Sequence, residues 1–387
     1  MTPRLFLALA VTTALLPAAE VRTSERYEDR AALVVSNDRL ELTVLELGGP
    51  LARIVLTGDG EKLNPLWNSF EDDRNNSRPL RQTGAVGHFV CVDGFGPTSE
   101  EESAAGLSGH GEAHRLPWKT VEAKAGDEAV LVQQVELPIV QEKLTRTISL
   151  REGENVVRVT SQLESLLGFD RPVNWAEHAT IGSPFLEPGV TVVDLSGNRA
   201  MVRPRPEESN SRRGRQHRLA GGEEFEWPMG PLGAGGQVNL RAAPDNPDSL
   251  DHTGHLMTPS GSHAWVTALH PEKRLLLGYI FNTDQVPWLQ IWEHYPPEGM
   301  GARGLEFGTQ AFDRPRREMV TQNRLFGELL YRWLPAKSTI QSTFLMFWTQ
   351  TPEGFQGVDE IRLDEEGLTL EDSRSKQTLR LETKQKL

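Results

Sequence analysis

The sequence predicts an all-β fold, a large antiparallel β-sandwich, on three observations. Short runs in which apolar and polar residues alternate recur along most of the 387 residues, the period-2 signature of half-buried strands. Gly, Pro, Asn or Asp stands between most of these runs, as turns between antiparallel strands require. Helical periodicity is nearly absent.

From Ala32 to Thr57, Leu40, Leu42 and Val44 alternate with Glu41 and Thr43; the pattern breaks at Gly48-Gly49-Pro50 and resumes at Ala52-Arg53-Ile54-Val55-Leu56. That spacing predicts a strand, a turn and a strand. Further strands are predicted at Ala129 to Leu137, Leu144 to Leu150, Asn155 to Leu163, Val190 to Leu195, His263 to Leu269, Leu275 to Phe281 and Ser338 to Trp348. Between Asn64 and Leu116 the pattern loosens into a polar, Gly-rich stretch, and loops this long inside a compact domain are usually functional. A second irregular stretch covers Gly197 to Pro259. No composition break is long enough for an interdomain linker and no repeat recurs at a fixed period, so residues 20–387 read as one domain. From about residue 356 onward, Ile361-Arg362-Leu363, Leu368-Thr369-Leu370 and Leu379-Arg380-Leu381 alternate as an edge hairpin does, while the charge there fits a frayed tail equally well.

Residues 1–19 combine a basic start at Arg4, an apolar run from Leu5 to Leu16 and the small residues Ala18-Ala19, the pattern of a secretory signal peptide. The run is too short to span a bilayer. Cleavage after Ala18 or after Ala19 fits, and the expected location is the periplasm or the exterior. Cys91 is the single cysteine, so no intrachain disulfide forms, and no cysteine follows the apolar run to carry a lipid anchor. The net charge of −13 disfavours nucleic acid and anionic lipid, both of which need clustered Lys and Arg. The one basic stretch, Arg203 to Arg218 with Arg212, Arg213 and Arg215, has the Pro, Ser, Asn and Gly content of a solvated loop.

Ten histidines invite a metal reading. The pairs His110 with His114 and His252 with His255 have zinc-like spacings, but an HExxH site needs a helix, which Gly109-His110-Gly111 opposes, and no cysteine cluster supports them. Nucleophilic hydrolysis lacks a Gly-x-Ser-x-Gly elbow, and Cys91 sits in the apolar run Phe89-Val90-Cys91-Val92 as a buried, inert thiol would. Nine tryptophans point to carbohydrate, because flat indole faces pack on the C–H faces of pyranose rings. Trp265, Trp333 and Trp348 lie in strand patterns and are expected in the core, whereas Trp118, Trp175, Trp288 and Trp292 stand near polar stretches as candidates for a site wall.

Three stretches place proton-moving residues far apart along a chain that otherwise reads as strands: His110-Gly111-Glu112-Ala113-His114, Trp175-Ala176-Glu177-His178 and Gly304-Leu305-Glu306-Phe307-Gly308-Thr309-Gln310. An imidazole beside a carboxylate is the usual equipment for proton transfer at neutral pH. In order, Gly109-His110-Gly111 with Trp118, Glu177-His178, Asp251-His252, and Leu305-Glu306 with Thr309-Gln310 resemble the ordered motifs of the aldose 1-epimerase (galactose mutarotase) family. The resemblance runs from about Ala32 to Trp348. Three departures mark the chain as divergent: His114 stands where the family often carries arginine, Glu177 precedes the second histidine in place of asparagine, and Gly84-Ala85-Val86-Gly87-His88 occupies the place of an expected Gly-Arg-x-x-Asn-Arg stretch.

The resemblance implies a galactose mutarotase-type β-sandwich acting on a monosaccharide or sugar derivative, with Glu306 as base and His178 as acid. His110 and Asp251 would hold substrate hydroxyls, with His114, Glu177, Trp175 and Trp292 also at the substrate. The turn-rich composition of Asn246 to Gly254 also fits Asp251 as a turn cap. Such an isomerase opens and recloses the sugar ring by general acid–base catalysis, with no metal, cofactor or covalent intermediate. A carboxylate after apolar Leu305 is expected to be partly buried with a raised pKa, and a histidine beside Glu177 to hold its proton more readily. Two other readings share the fold: a non-catalytic carbohydrate-binding protein, and a glycan lyase or hydrolase. The four tyrosines and the acidic balance make the lyase less attractive.

Overall fold

The computed structural model of the protein describes residues 19–205, 211–212, 215–244, 248–259, 261, 263–296 and 299–387. The expected leader, Ala19 excepted, and Arg213 of the basic stretch lie outside the described residues. With 52% of residues in strands and 6% in helices, the chain is all-β, and two large antiparallel sheets face each other.

The front sheet carries, in spatial order, the strands Leu51–Leu56, His88–Val92, Trp175–Gly182, Ala302–Gly308, Trp288–Tyr295, Ser249–Met257 and Gly197–Val202, with the hairpins of residues 20–45 extending one edge. The back sheet runs Val192–Leu195, Ala264–His270, Leu275–Phe281, Thr339–Gln350, Val156–Ser165, Glu142–Arg151, Glu128–Leu137 and Lys119–Lys124. Between them lies the main core, where Ala179, Ile181, Leu289, Ile291, Leu305 and Phe307 of the front sheet meet Ile148, Val157, Val266, Leu277, Phe281 and Phe344 of the back. Phe281 stacks on Phe307 with ring centroids 4.6 Å apart.

Most predicted strands occur within one or two residues of their expected bounds. The first segment differs: Ala32 to Leu45 is two strands, Arg30–Ser36 and Leu40–Leu45. The intervening turn is held by the Asn37 side chain, whose carbonyl oxygen accepts from the backbone N–H groups of Arg39 and Leu40 at 2.8 and 2.7 Å. The C-terminal segment is neither a sheet edge nor a frayed tail. Glu360–Leu363, Gly367–Asp372 and Gln377–Glu382 form a separate three-stranded sheet, whose Ile361, Leu368, Leu370 and Leu381 pack on Leu276, Ile280, Leu345 and Phe347 across the outer face of the back sheet. Leu275–Phe281 is therefore covered on both faces, which explains its uninterrupted apolar sequence.

The front sheet has no such cover over its middle. Its strand residues alternate, so Ala179, Leu305 and Ile291 point to the core while His178, Glu306 and Trp292 point outward. The long Gly-rich stretch from Asn64 to Leu116 contributes the strand His88–Val92 to the sheet, and parts on either side of it, such as Trp67, Arg81 and His110, reach that outward face. Gly111 fits there with φ +77°, and a Cβ on it would stand 2.1 Å from the Val92 carbonyl oxygen, so the turn that presents His110 admits only glycine next to it.

Candidate active site

A cleft of about 190 Å³ opens on the outward face of the front sheet, lined by Trp67, Arg81, Ala85, Phe89, His110, His178, Leu250, His252, Trp292, Glu306 and Asp313. Strand register sets its floor. His178 lies opposite Phe89 on one side, and the pairings Glu177 with Phe307 and Thr180 with Gly304 put it opposite Glu306 on the other. Glu306 in turn lies opposite Gln290. One pair along, Thr180, Gly304, Trp292 and His252 make the next row.

Glu306 is almost fully buried and its Oε1 stands 3.4 Å from His178 Nε2. Gly304 creates the space for that carboxylate, since a Cβ at 304 would lie 2.1 Å from Oε1. His178 is fixed on its other side: Nδ1 is 3.1 Å from the Thr180 hydroxyl and the ring stacks on Phe89 at 4.3 Å. His110, held at φ +65°, brings its ring centroid within 5.2 Å of that of His178, and its Nδ1 accepts from the Gly96 N–H at 3.4 Å. That bond directs the proton of the neutral ring to Nε2. His252 Nδ1 lies 3.1 Å from Asp313 Oδ1, and Asp313 also pairs with Arg203. The walls are indoles: Trp67 and Trp292 meet edge to face at 6.2 Å, and Trp292 stacks on His294 at 5.1 Å.

Burial, and after it Asp313, pushes the Glu306 carboxyl well above the ordinary carboxylate range, in line with the expectation for a carboxylate after Leu305. His178 goes the other way. Burial first, then His110, holds it well below the usual histidine range. The expectation that Glu177 would help it hold a proton fails for a geometric reason, because neighbours in a strand face opposite ways. Glu177 points into the core, where Arg146 NH2 lies 2.9 and 2.7 Å from its two oxygens and His88 Nε2 lies at 3.0 Å. Burial acts to raise the Glu177 carboxyl, but Arg146 and His88 outweigh it and hold it below the usual range.

The structure thus brings His110, His178, Glu306 and Trp292 together in the cleft and leaves four other expected residues outside it. Trp175 is buried with Val92 and Leu334 in a secondary core. His114 is buried behind His110, with ring centroids 6.3 Å apart. Asp251 points to the core side of Ser249–Met257, where it accepts from the backbone N–H groups of Arg218 and Leu219 and pairs with the Arg218 guanidinium at 2.9 Å. Its neighbours Leu250 and His252 face the cleft instead. Residues 249–257 form a strand rather than the turn their composition suggested. Trp118 and Trp288 are also buried, and Trp333, expected in the core, is 52% exposed.

Trp67, Arg81, Phe89 and Asp313 line the cleft without having been singled out from the sequence, and His252 lines it although the sequence named it only in a zinc-like pair and as the neighbour of Asp251. His252 had a usable signal, being the alternate neighbour of Asp251. Arg81 had none, since it sits in irregular chain. Asp73 grips its guanidinium at 2.8 and 2.7 Å, and it lies over the Trp67 ring at 5.3 Å, supplying an arginine to a site whose expected arginine positions are filled by other residues. Among the described residues, no group of three or more His, Cys, Asp or Glu is placed to hold a metal ion.

No family model and no curated protein matches the chain. Solved structures do. The Slr1438 protein of Synechocystis sp. PCC 6803 superposes with a TM-score of 0.58 at 14% identity, covering 85% of this chain and 98% of its own. A provisional aldose 1-epimerase from Klebsiella pneumoniae subsp. pneumoniae MGH 78578 gives 0.58 at 14% identity, covering 86% and 83%. A galactose mutarotase related enzyme from Lactobacillus acidophilus gives 0.53 at 11% identity, covering 83% and 99%. The fold is therefore that of the galactose mutarotase-like proteins, and at these identities the likeness concerns the fold alone.

Proposed function

We propose that the cleft interconverts the anomers of an aldose or a close sugar derivative, by acid–base opening and closure of the pyranose ring. The observation that carries this reading is the Glu306–His178 pair, 3.4 Å apart and shifted in opposite directions by burial. Such a pair holds one proton. Either placement leaves one group able to give a proton and the other able to take one, which is what anomer exchange needs at O1 and the ring oxygen.

With the proton resting on Glu306, the carboxylic acid protonates the ring oxygen while His178 Nε2 takes the proton of the C1 hydroxyl. The C1–O5 bond breaks, the aldehyde turns about C1–C2, and closure on the other face returns both protons. The family resemblance assigns base to Glu306 and acid to His178; that assignment is the other placement of the same shared proton. The pair titrates as a unit and its two apparent pKa values belong to both groups. Trp67 and Trp292 supply flat apolar walls for the ring, and His110 and His252 are the polar groups placed to meet its hydroxyls.

The reading is supported by the mutarotase-like fold and by an opening sized for a small molecule, and it asks for no metal, cofactor or nucleic acid. Export through the N-terminal segment belongs to the same proposal, with the substrate met outside the cytoplasm. The test is NMR exchange spectroscopy between α and β anomers across a panel of aldoses, where at least one sugar exchanges faster with protein than in buffer. The competing reading, saccharide binding without turnover, is favoured by Asp251 being committed to Arg218 rather than to the cleft. It predicts binding with no added exchange.

A further inference from the structure

The one tryptophan that the described structure leaves more than half exposed is not among the residues that line the cleft. Trp333 belongs to a two-stranded ribbon, Arg171–Val173 with Arg332–Leu334, separate from both large sheets. Leu334 turns inward to a buried cluster, so alternation turns Trp333 outward. Beside it lies a groove of about 560 Å³, larger than the cleft. Tyr331 and Trp333 both line it, with ring planes at 87° and centroids 5.8 Å apart. Thr283, Asp284, Glu328 and Arg332 supply hydrogen-bonding groups along it.

We propose that this groove is a second carbohydrate site, which takes a neutral oligosaccharide. An indole face carries the negative side of the ring quadrupole, and the C–H bonds of a sugar, polarised by adjacent oxygens, present the matching positive edge. The rim has two carboxylates to one guanidinium, on a chain of net charge −13, which disfavours polyanions such as sulfated glycans or nucleic acid. Hydrogen-bond donors and acceptors beside an exposed ring suit a polyhydroxyl chain better than an apolar peptide.

One chain segment links the groove to the cleft. Thr309, which lines it, follows Glu306 by three residues, roughly 10 Å of extended chain. The segment from Thr309 to Asp313 runs between the two, with Thr309 at the groove and Asp313 at the cleft. This second site does not depend on turnover in the cleft.

The experiment is isothermal titration of the full chain with maltohexaose, cellohexaose and xylohexaose, using wild type, Trp333→Ala, Tyr331→Ala and Glu306→Gln. Near-UV circular dichroism shows which variants keep the fold. At least one oligosaccharide binds wild type and Glu306→Gln alike, and binds at least tenfold more weakly to Trp333→Ala and Tyr331→Ala. The proposal is overturned if none of the three binds, if binding survives both aromatic substitutions, or if Glu306→Gln alone removes it, which assigns the binding to the cleft. Sedimentation velocity in which Trp333→Ala abolishes self-association without affecting sugar binding also overturns it and gives this face to a second copy of the chain.

Discussion

Glu306 Oε1 lies 3.4 Å from His178 Nε2, across two neighbouring antiparallel strands whose register sets the residues opposite each other. A carboxyl raised by burial beside an imidazole lowered by burial shares one proton between them over the pH range bounded by their two titrations. The rate of anomer exchange is therefore expected to be bell-shaped in pH. On the acid side it falls as His178 gains a second proton for the pair, at a pH below the ordinary imidazole value. On the alkaline side it falls as Glu306 loses the only one, above the ordinary carboxylate value. A kcat/KM profile shows both limbs in wild type, and Glu306→Gln lacks the alkaline limb.

Gly304 should tolerate no side chain if the site is to work. A Cβ there stands 2.1 Å from Glu306 Oε1, so Gly304→Ala displaces the carboxylate from its place beside His178. A shift of about 1 Å in a reacting group costs roughly 10²-fold in rate. Kinetics and a melting curve on Gly304→Ala check this together: the rate falls by about that factor while the fold survives.

Much of this was legible in the chain. Alternation located most strands, and the spaced His110, His178 and Glu306 stretches do converge on one cleft. What alternation could not supply was the face each residue takes. Glu177 and His178 are adjacent, so in a strand only one of them can look outward, and nothing in Trp175 to Gly182 says which. The same ambiguity exchanged Asp251 for His252. Trp67 and Arg81 come from irregular chain, where no period exists to place them; their positions follow from how residues 64–116 fold over the sheet.

Behind the site, Arg146 and Glu177 form a fully buried ion pair with His88. Removing one charge leaves the other uncompensated, so Arg146→Met should destabilise the protein by about 3–5 kcal/mol. Replacing both partners, Arg146→Met with Glu177→Leu, removes that uncompensated charge and should recover most of the loss. Urea unfolding of the single and double variants measures the difference.

His114 gives a pH signature of stability. Burial, then His110 and Arg115, lowers its pKa to about 3, against about 6.5 in the unfolded chain. Between these values the unfolded state binds the extra proton, so its contribution to stability is present above about pH 6.5 and is lost as pH falls, at up to about 1.4 kcal/mol per pH unit. His114→Gln lacks this dependence. Unfolding free energies of the two proteins should therefore converge between about pH 6 and pH 4, and parallel curves would show that His114 takes up its proton as readily in the native state as in the unfolded chain.

In the proposed reaction Glu306 and His178 exchange protons with a sugar. Polarimetry of freshly dissolved α-glucose, α-galactose and a wider set of aldoses, with wild type and Glu306→Gln, tests it most directly. Wild type speeds the approach to equilibrium rotation for at least one sugar, and Glu306→Gln, still folded, loses roughly 10²- to 10⁴-fold of that acceleration. No acceleration with any aldose, or equal rates for the two proteins, would contradict it.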